Sequence, residues 1–149
     1  NGKPELILMY IDAPDGADQF RYMIGWNLDT EGNPAKWSPI VHGPSPGTLT
    51  AGGGAAIADI DGNGRLDLLL MSVDNPDGPN QFRYTIGWNL DKKGNPENNK
   101  WSPIVYGHSP GGLTAGGGAA ITHSQDSQGG TQLDLFLMAI DDPLGTECH

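Results

Sequence analysis

The chain has 149 residues, 36% of them hydrophobic, with 23 Gly, 12 Pro and a formal net charge of −10. This length suits one domain, and Gly and Pro interrupt almost every window in which a long amphipathic helix would form. The acidic excess argues against nucleic acid, whose phosphates need a basic face, and against anionic membrane surfaces, while no apolar run approaches the roughly 18 residues of a membrane span.

Taken in chain order, "ELILMYIDAP" (5–14) reads as an apolar strand. "QFRYMIGWNLDTEGNPAKWSPIV" (19–41) follows as an alternating strand, a Gly-Asn-Pro turn and a further strand. "GTLTAGGGAAI" (47–57) is Gly-rich and small. Then the series starts again with "DLLLMSVDNP" (67–76), "QFRYTIGWNLDKKGNPENNKWSPIV" (81–105) and "GGLTAGGGAAI" (111–121), and "DLFLMAIDDP" (134–143) opens a third round. The self-similarity has a period of about 62 to 67 residues, a two-residue insertion in "PENNKW" adding to the spread.

One unit therefore predicts four strands: a Gly-rich strand (52–60), an apolar strand (66–74), an alternating strand (81–91) and a Trp-Ser-Pro strand (100–107). In the alternating strand Phe82, Tyr84, Ile86, Trp88 and Leu90 share one face. The apolar strand reads as covered on both faces. The expected fold is all-β, built from four-stranded antiparallel blade repeats of β-propeller type. About two blades' worth are present in one repeat domain, 1–149: a partial blade over 1–46, a complete blade over 47–110 and a partial blade over 111–149. Another stacked-sheet array is the alternative.

Nine strands are too few to close a propeller of about four to eight blades. The chain is thus expected to be a fragment of a longer protein or a subunit whose incomplete ends dock head-to-tail on other copies, in a ring or a fibre. One apolar strand is left over in that count, so simple blade sharing is imperfect. With no initiator Met and no signal peptide, the chain reads as a mature or trimmed product. Its single cysteine, Cys148, forbids an internal disulfide.

"DIDGNGRLD" (59–67) carries the clearest chemistry. Asp59, Asp61 and Asn63 offer side-chain oxygens at alternate positions, the Arg65 carbonyl and the Asp67 carboxylate complete a cage, and Gly62 and Gly64 let the loop curl. Calcium (Ca2+) takes six to eight such oxygens at about 2.3–2.6 Å, and magnesium prefers to keep more water. Position 12 is Leu70 rather than Glu, so the loop is not an EF-hand. In the first copy Asn1 and Glu5 hold the matching positions. In the third, "THSQDSQGGTQLD" is longer, His123 replaces the first Asp, and Asp126 and Asp134 remain as weaker ligand candidates.

The pattern Asp-x-Asp-Gly-Asn-Gly-x-x-Asp before "LLLM" and after "GGGAAIA" resembles the FG-GAP/VCBS-type repeat of integrin α-subunit propellers and of many extracellular bacterial and fungal proteins. The resemblance covers nearly the whole chain. It implies a β-propeller with calcium loops between the Gly-rich and apolar strands, in secreted or cell-surface proteins of adhesion or carbohydrate binding. Carried over by position, the ligands are Asp59, Asp61, Asn63, Arg65 (carbonyl) and Asp67.

The remaining candidates carry less. "TAGGGAA" lacks the Gly-Lys-Ser/Thr of a phosphate loop and reads as close strand packing. Trp26 and Trp88, with Arg21 and Arg83, form a repeated set suited to stacking on and hydrogen-bonding a glycan, although packing between neighbouring units is the preferred account of the Trp rings. Trp37 and Trp101 recur likewise, and Tyr10 and Tyr106 are weaker candidates. His42, His108, His123 and His149 have no metal spacing, and no Ser-His-Asp or Cys-His set points to catalysis. The expected function is non-enzymatic: an extracellular or cell-surface, calcium-stabilised structural or adhesive protein that associates with copies of itself. A lectin-like glycan-binding module and a fragment of a larger cell-surface receptor or enzyme are the alternatives.

Overall fold

The computed structural model describes residues 5–11, 20–44, 53–73, 82–107, 115–125 and 127–140. These residues are all-β, in antiparallel sheets. In the first sheet β2 (Phe20–Leu28) is flanked by β1 (Leu6–Ile11) on one side and by β3 (Pro34–Trp37) and β4 (Val41–Gly43) on the other. The second sheet runs β5 (Gly53–Ala58), β6 (Asp67–Val73), β7 (Phe82–Gly87), β8 (Val105–Gly107) in that order. The third is a hairpin of β9 (Ala115–Gln125) and β10 (Thr131–Ile140). No closed ring of sheets forms among the described residues.

Pairing registers coincide from sheet to sheet. Leu68↔Gly87 through Val73↔Phe82 matches Leu6↔Gly25 through Ile11↔Phe20. Ile57↔Leu68 likewise matches Ile121↔Leu135. A one-residue slip would turn every side chain to the other face, so equal registers put equivalent residues on equivalent faces.

Those faces explain why β6 is apolar from Leu68 to Met71. Leu68 and Leu70 are fully buried against Phe20, Tyr22, Ile24 and Val41 of the first sheet. Leu69 and Met71 point the other way and cluster with Phe82, with Ala119 and Ile121 of β9 packed on them. The second sheet therefore lies between the other two. The sheets come closest at the Gly-rich strands: a Cβ on Gly54 would sit 2.8 Å from the Ala119 nitrogen and 2.9 Å from the Gly118 Cα. Both neighbours are main chain and cannot step aside. Across the first junction the Tyr22 hydroxyl donates to the Gly94 carbonyl at 2.8 Å. Burial pushes the Tyr22 pKa up, and the negative charge of Asp91 adds to it.

The Trp-Ser-Pro strand expected over 100–107 is broken, and its sequence explains the break. Pro103 has no N–H for the ladder, and Ser102 covers the gap. The Ser102 N–H donates to the Ile86 carbonyl at 2.7 Å, and its Oγ accepts the Ile86 N–H at 2.9 Å. Ser38 does the same for Ile24, at 2.8 and 2.9 Å. The strand resumes at β4 and β8. Upstream, the inserted Asn98 and Asn99 take left-handed φ values of 54° and 52° and form a turn where the first unit has β3. Asn27 and Asn89 share a left-handed φ of 55°, and in the second unit regular pairing ends at Gly87, short of the expected Asp91.

The recurring Gly, Pro and Trp residues form a common packing unit. A Cβ on Gly25 would lie 2.6 Å from Pro34 Cγ and 3.1 Å from the Trp37 ring; on Gly87 the values are 2.6 Å to Pro96 Cγ and 2.9 Å to the Trp101 ring. Trp37 and Trp101 thus lie over glycines of the alternating strand. The Gly-Asn-Pro turns recur as well. Asp29 Oδ1 accepts the N–H groups of Glu31 and Asn33 at 2.9 and 2.8 Å, and Asp91 Oδ1 those of Lys93 and Asn95 at 2.7 and 2.9 Å. The Asn33 N–H holds the Asp29 carboxyl below its usual range.

Candidate metal centre

The β5–β6 ladder ends at the pair Ala58↔Asp67, and residues 59–66 loop between. Gly62 and Gly64 have φ of +75° and +85°, with nothing within 4 Å of a Cβ at either, so glycine serves the backbone here rather than space. The curl gathers carboxylate oxygens of Asp59, Asp61 and Asp67 within 4.8 Å of one another.

Each side-chain ligand candidate accepts at least one main-chain N–H. Asp59 Oδ1 accepts the Asn63 N–H at 3.0 Å and Oδ2 the Gly64 N–H at 2.7 Å. Asp61 Oδ1 accepts the Asn63 N–H at 3.1 Å, and Asn63 Oδ1 accepts the Arg65 N–H at 2.9 Å. Asp67 is fully buried. Its Oδ2 accepts the Ile60 N–H at 2.9 Å and its Oδ1 the Asn89 N–H at 2.8 Å, which binds the loop to the end of β7. The Arg65 guanidinium reaches away from the carboxylates, to Glu97 Oε1 at 2.9 Å and the Asn89 carbonyl at 3.1 Å. That ion pair is about half exposed and contributes little by itself.

Three clustered carboxylates repel one another, and Arg65 does not neutralise them. The donors are hard oxygens, without the Cys or His that zinc or copper would take. Such a set fits a divalent cation of the calcium or magnesium kind.

Among the described residues the ligand pattern is not gathered elsewhere. In the third unit the ladder continues past Thr122↔Asp134 through His123↔Leu133 and Ser124↔Gln132 to Gln125↔Thr131. The three extra residues lengthen the hairpin instead of opening a loop. Asp134 is exposed on β10, where Gln132 Nε2 donates to it at 3.4 Å. Asn1 and Asp126 lie outside the described residues, as do His108, Cys148 and His149. Glu5 is half-buried, and that burial raises its pKa.

The glycan candidates are split between places. In register, Arg21 faces Tyr10 and His42 at one end of β2, and Trp26 faces Lys36 at the other. The Arg83 guanidinium lies 5.1 Å from the centroid of the Tyr106 ring. Trp88 is half-buried beyond the end of β7. Trp26 packs partly against the core and also borders a cleft of about 570 Å3 between the first and second units, with Glu5, Lys36, Arg65 and Lys92 among its other walls. Trp26 Nε1 is buried without a hydrogen-bond partner among the described residues.

Sequence spacing does not reveal Asn89, Glu97 or this cleft. Asn89 is 26 residues from Asn63 and meets it only because β6 pairs with β7. Its one signal is the repeated Trp-Asn-Leu-Asp stretch, shared with Asn27, where no loop is described. Comparison with family models, with curated proteins and with solved structures gives no match for the chain.

Proposed function

We propose that this chain is a non-enzymatic, extracellular, calcium-stabilised β-propeller-repeat protein of structural or adhesive role that associates head-to-tail with copies of itself. The observation that carries the reading is the Asp59–Asp61–Asp67 cluster, with its oxygens within 4.8 Å, at the turn between two strands of the central sheet. A cation there neutralises the cluster and holds the loop, so its binding free energy adds to folding.

Exposure supports the association. Leu6 and Leu8 of β1 are 36% and 47% exposed, whereas their equivalents Leu68 and Leu70 are fully buried against the preceding sheet. Phe136 of β10 is 59% exposed, and its equivalent Leu69 is buried against the following one. The outer faces of the first and third sheets thus match, as apolar surfaces, the faces that already meet inside the chain.

Light scattering in calcium and then in excess chelator tests both parts. The expected result is an oligomer or polymer in calcium and, at 100 times the dissociation constant, calcium stabilisation of about 2.7 kcal/mol, a rise of roughly 5–10 °C in melting temperature. A folded, calcium-saturated monomer at high concentration overturns the association and favours a fragment of a longer receptor or enzyme. No calcium-dependent shift overturns the cation reading.

The cleft favours a lectin-like module as a second reading. Trp26 gives an aromatic ring for a sugar to stack on, and Lys36 and Lys92 give donors for its hydroxyls. On a glycan array, Trp26→Ala is expected to abolish binding by the full chain. An array without binding to the parent chain disposes of this reading.

A further inference from the structure

We propose that Asn89 is a positioning residue of the cation loop, an inference that rests on the calcium reading above. Three atoms of this one residue reach three members of the loop. Its N–H donates to Asp67 Oδ1 at 2.8 Å, its Oδ1 accepts from Asn63 Nδ2 at 2.8 Å, and its carbonyl accepts from the Arg65 guanidinium at 3.1 Å. The left-handed φ of 55° at Asn89 turns the chain out of β7. Asn is among the few non-glycine residues that adopt this conformation readily.

The Asn63 amide is the point of control. Its Oδ1 accepts the Arg65 N–H at 2.9 Å, while its Nδ2 is shared between Asp61 Oδ2 and Asn89 Oδ1, both at 2.8 Å. A cation that draws on the Asp61 carboxylate competes with Nδ2 for it. Asn89 is then the acceptor that keeps Nδ2 satisfied and the Asn63 amide fixed, with its Oδ1 on the Arg65 N–H. Outer partners of this kind orient metal ligands, and their loss typically weakens metal binding by about 10- to 100-fold. Asn89 thereby links the loop to β7, where spacing within 59–67 supplies no such link.

The test compares Asn89→Gly and Asn89→Asp in the full chain, by calorimetric titration with calcium chloride and by melting in excess chelator. Glycine keeps the left-handed backbone and both main-chain contacts, and removes only the Oδ1 acceptor. Aspartate restores an acceptor oxygen. The expected result is calcium affinity at least about 10-fold weaker in Asn89→Gly, unchanged melting in chelator, and affinity recovered in Asn89→Asp. Affinity within twofold of the parent chain in Asn89→Gly overturns the proposal, as does equal weakening in both variants. A chelator melting point that falls in step with affinity also overturns it, since Asn89 would then serve the fold alone. A parent chain that binds no calcium defeats the cation reading itself; binding by the parent with an unaltered Asn89→Gly defeats only the role given to Asn89.

Discussion

Asp67→Ala is expected to lower folding stability in chelator by about 3 kcal/mol and to remove the calcium-dependent part entirely. The first effect comes from hydrogen bonding. The fully buried Asp67 carboxylate accepts the N–H groups of Ile60 and Asn89, and each donor left buried without an acceptor costs about 1–3 kcal/mol. Relief of repulsion with Asp59 and Asp61 acts in the opposite direction. Two charges 4.8 Å apart repel by about 1 kcal/mol in a water-like medium and a few times more in a dry one. Asp61 is exposed and Asp59 half-exposed, so the smaller figure applies. Loss of the hydrogen bonds wins. Denaturant unfolding in chelator and in calcium separates the two effects, and a chelator loss under about 1 kcal/mol would mean that both N–H groups find other acceptors.

Gly54→Val is expected to cost about 3 kcal/mol or more and to free the β9–β10 hairpin from the central sheet. The clash is with main-chain atoms, at 2.8 Å to the Ala119 nitrogen and 2.9 Å to the Gly118 Cα. A side chain that meets a flexible neighbour can be absorbed by a new rotamer, whereas here one whole strand must move. Ala119 and Ile121 would then lose contact with Leu69 and Met71. Gly62→Ala is the contrast, because a Cβ there meets nothing within 4 Å and only the positive φ opposes it, a cost of about 1 kcal/mol. Denaturant midpoints and proteolysis within 115–140 measure both. If Gly54→Val unfolds at the parent midpoint, the two Gly-rich strands do not touch in solution.

Much of this architecture is legible in the sequence because it is written in periods. Repetition located the strands, and the unbroken apolar run at 68–71 announced a strand covered on both faces. Odd spacing likewise picks out Asp59, Asp61 and Asp67, whose carboxylate oxygens the loop gathers within 4.8 Å. The features that escaped depend on pairing between distant segments. Ser102 and Ser38 look like ordinary strand residues until the strand beside them supplies Ile86 and Ile24 and the proline after each breaks the ladder. Asn89 looks like a strand residue until its own main-chain conformation is known. The third unit misled for a different reason: polar residues at 122–125 and 131–132 resemble a loop, but paired across a turn with Gly129 at φ +81° they extend a ladder on which Thr122, Gln125, Thr131 and Gln132 are exposed.

The Ser-Pro joint also bears on how such a chain avoids the wrong kind of contact. An open sheet ends in a row of bare peptide groups, and another molecule's strand can add to it indefinitely. Here the outer strands β4 and β8 are only three residues each. Each is preceded by a proline that offers no N–H and by a serine whose oxygen is already committed to Ile24 or Ile86. Little remains along these rims for a foreign strand to copy. Growth by lateral, amyloid-like addition is therefore blunted at β4 and β8, whereas among the described residues β1 and β10 pair on one side only and their broad faces carry the exposed Leu6, Leu8 and Phe136.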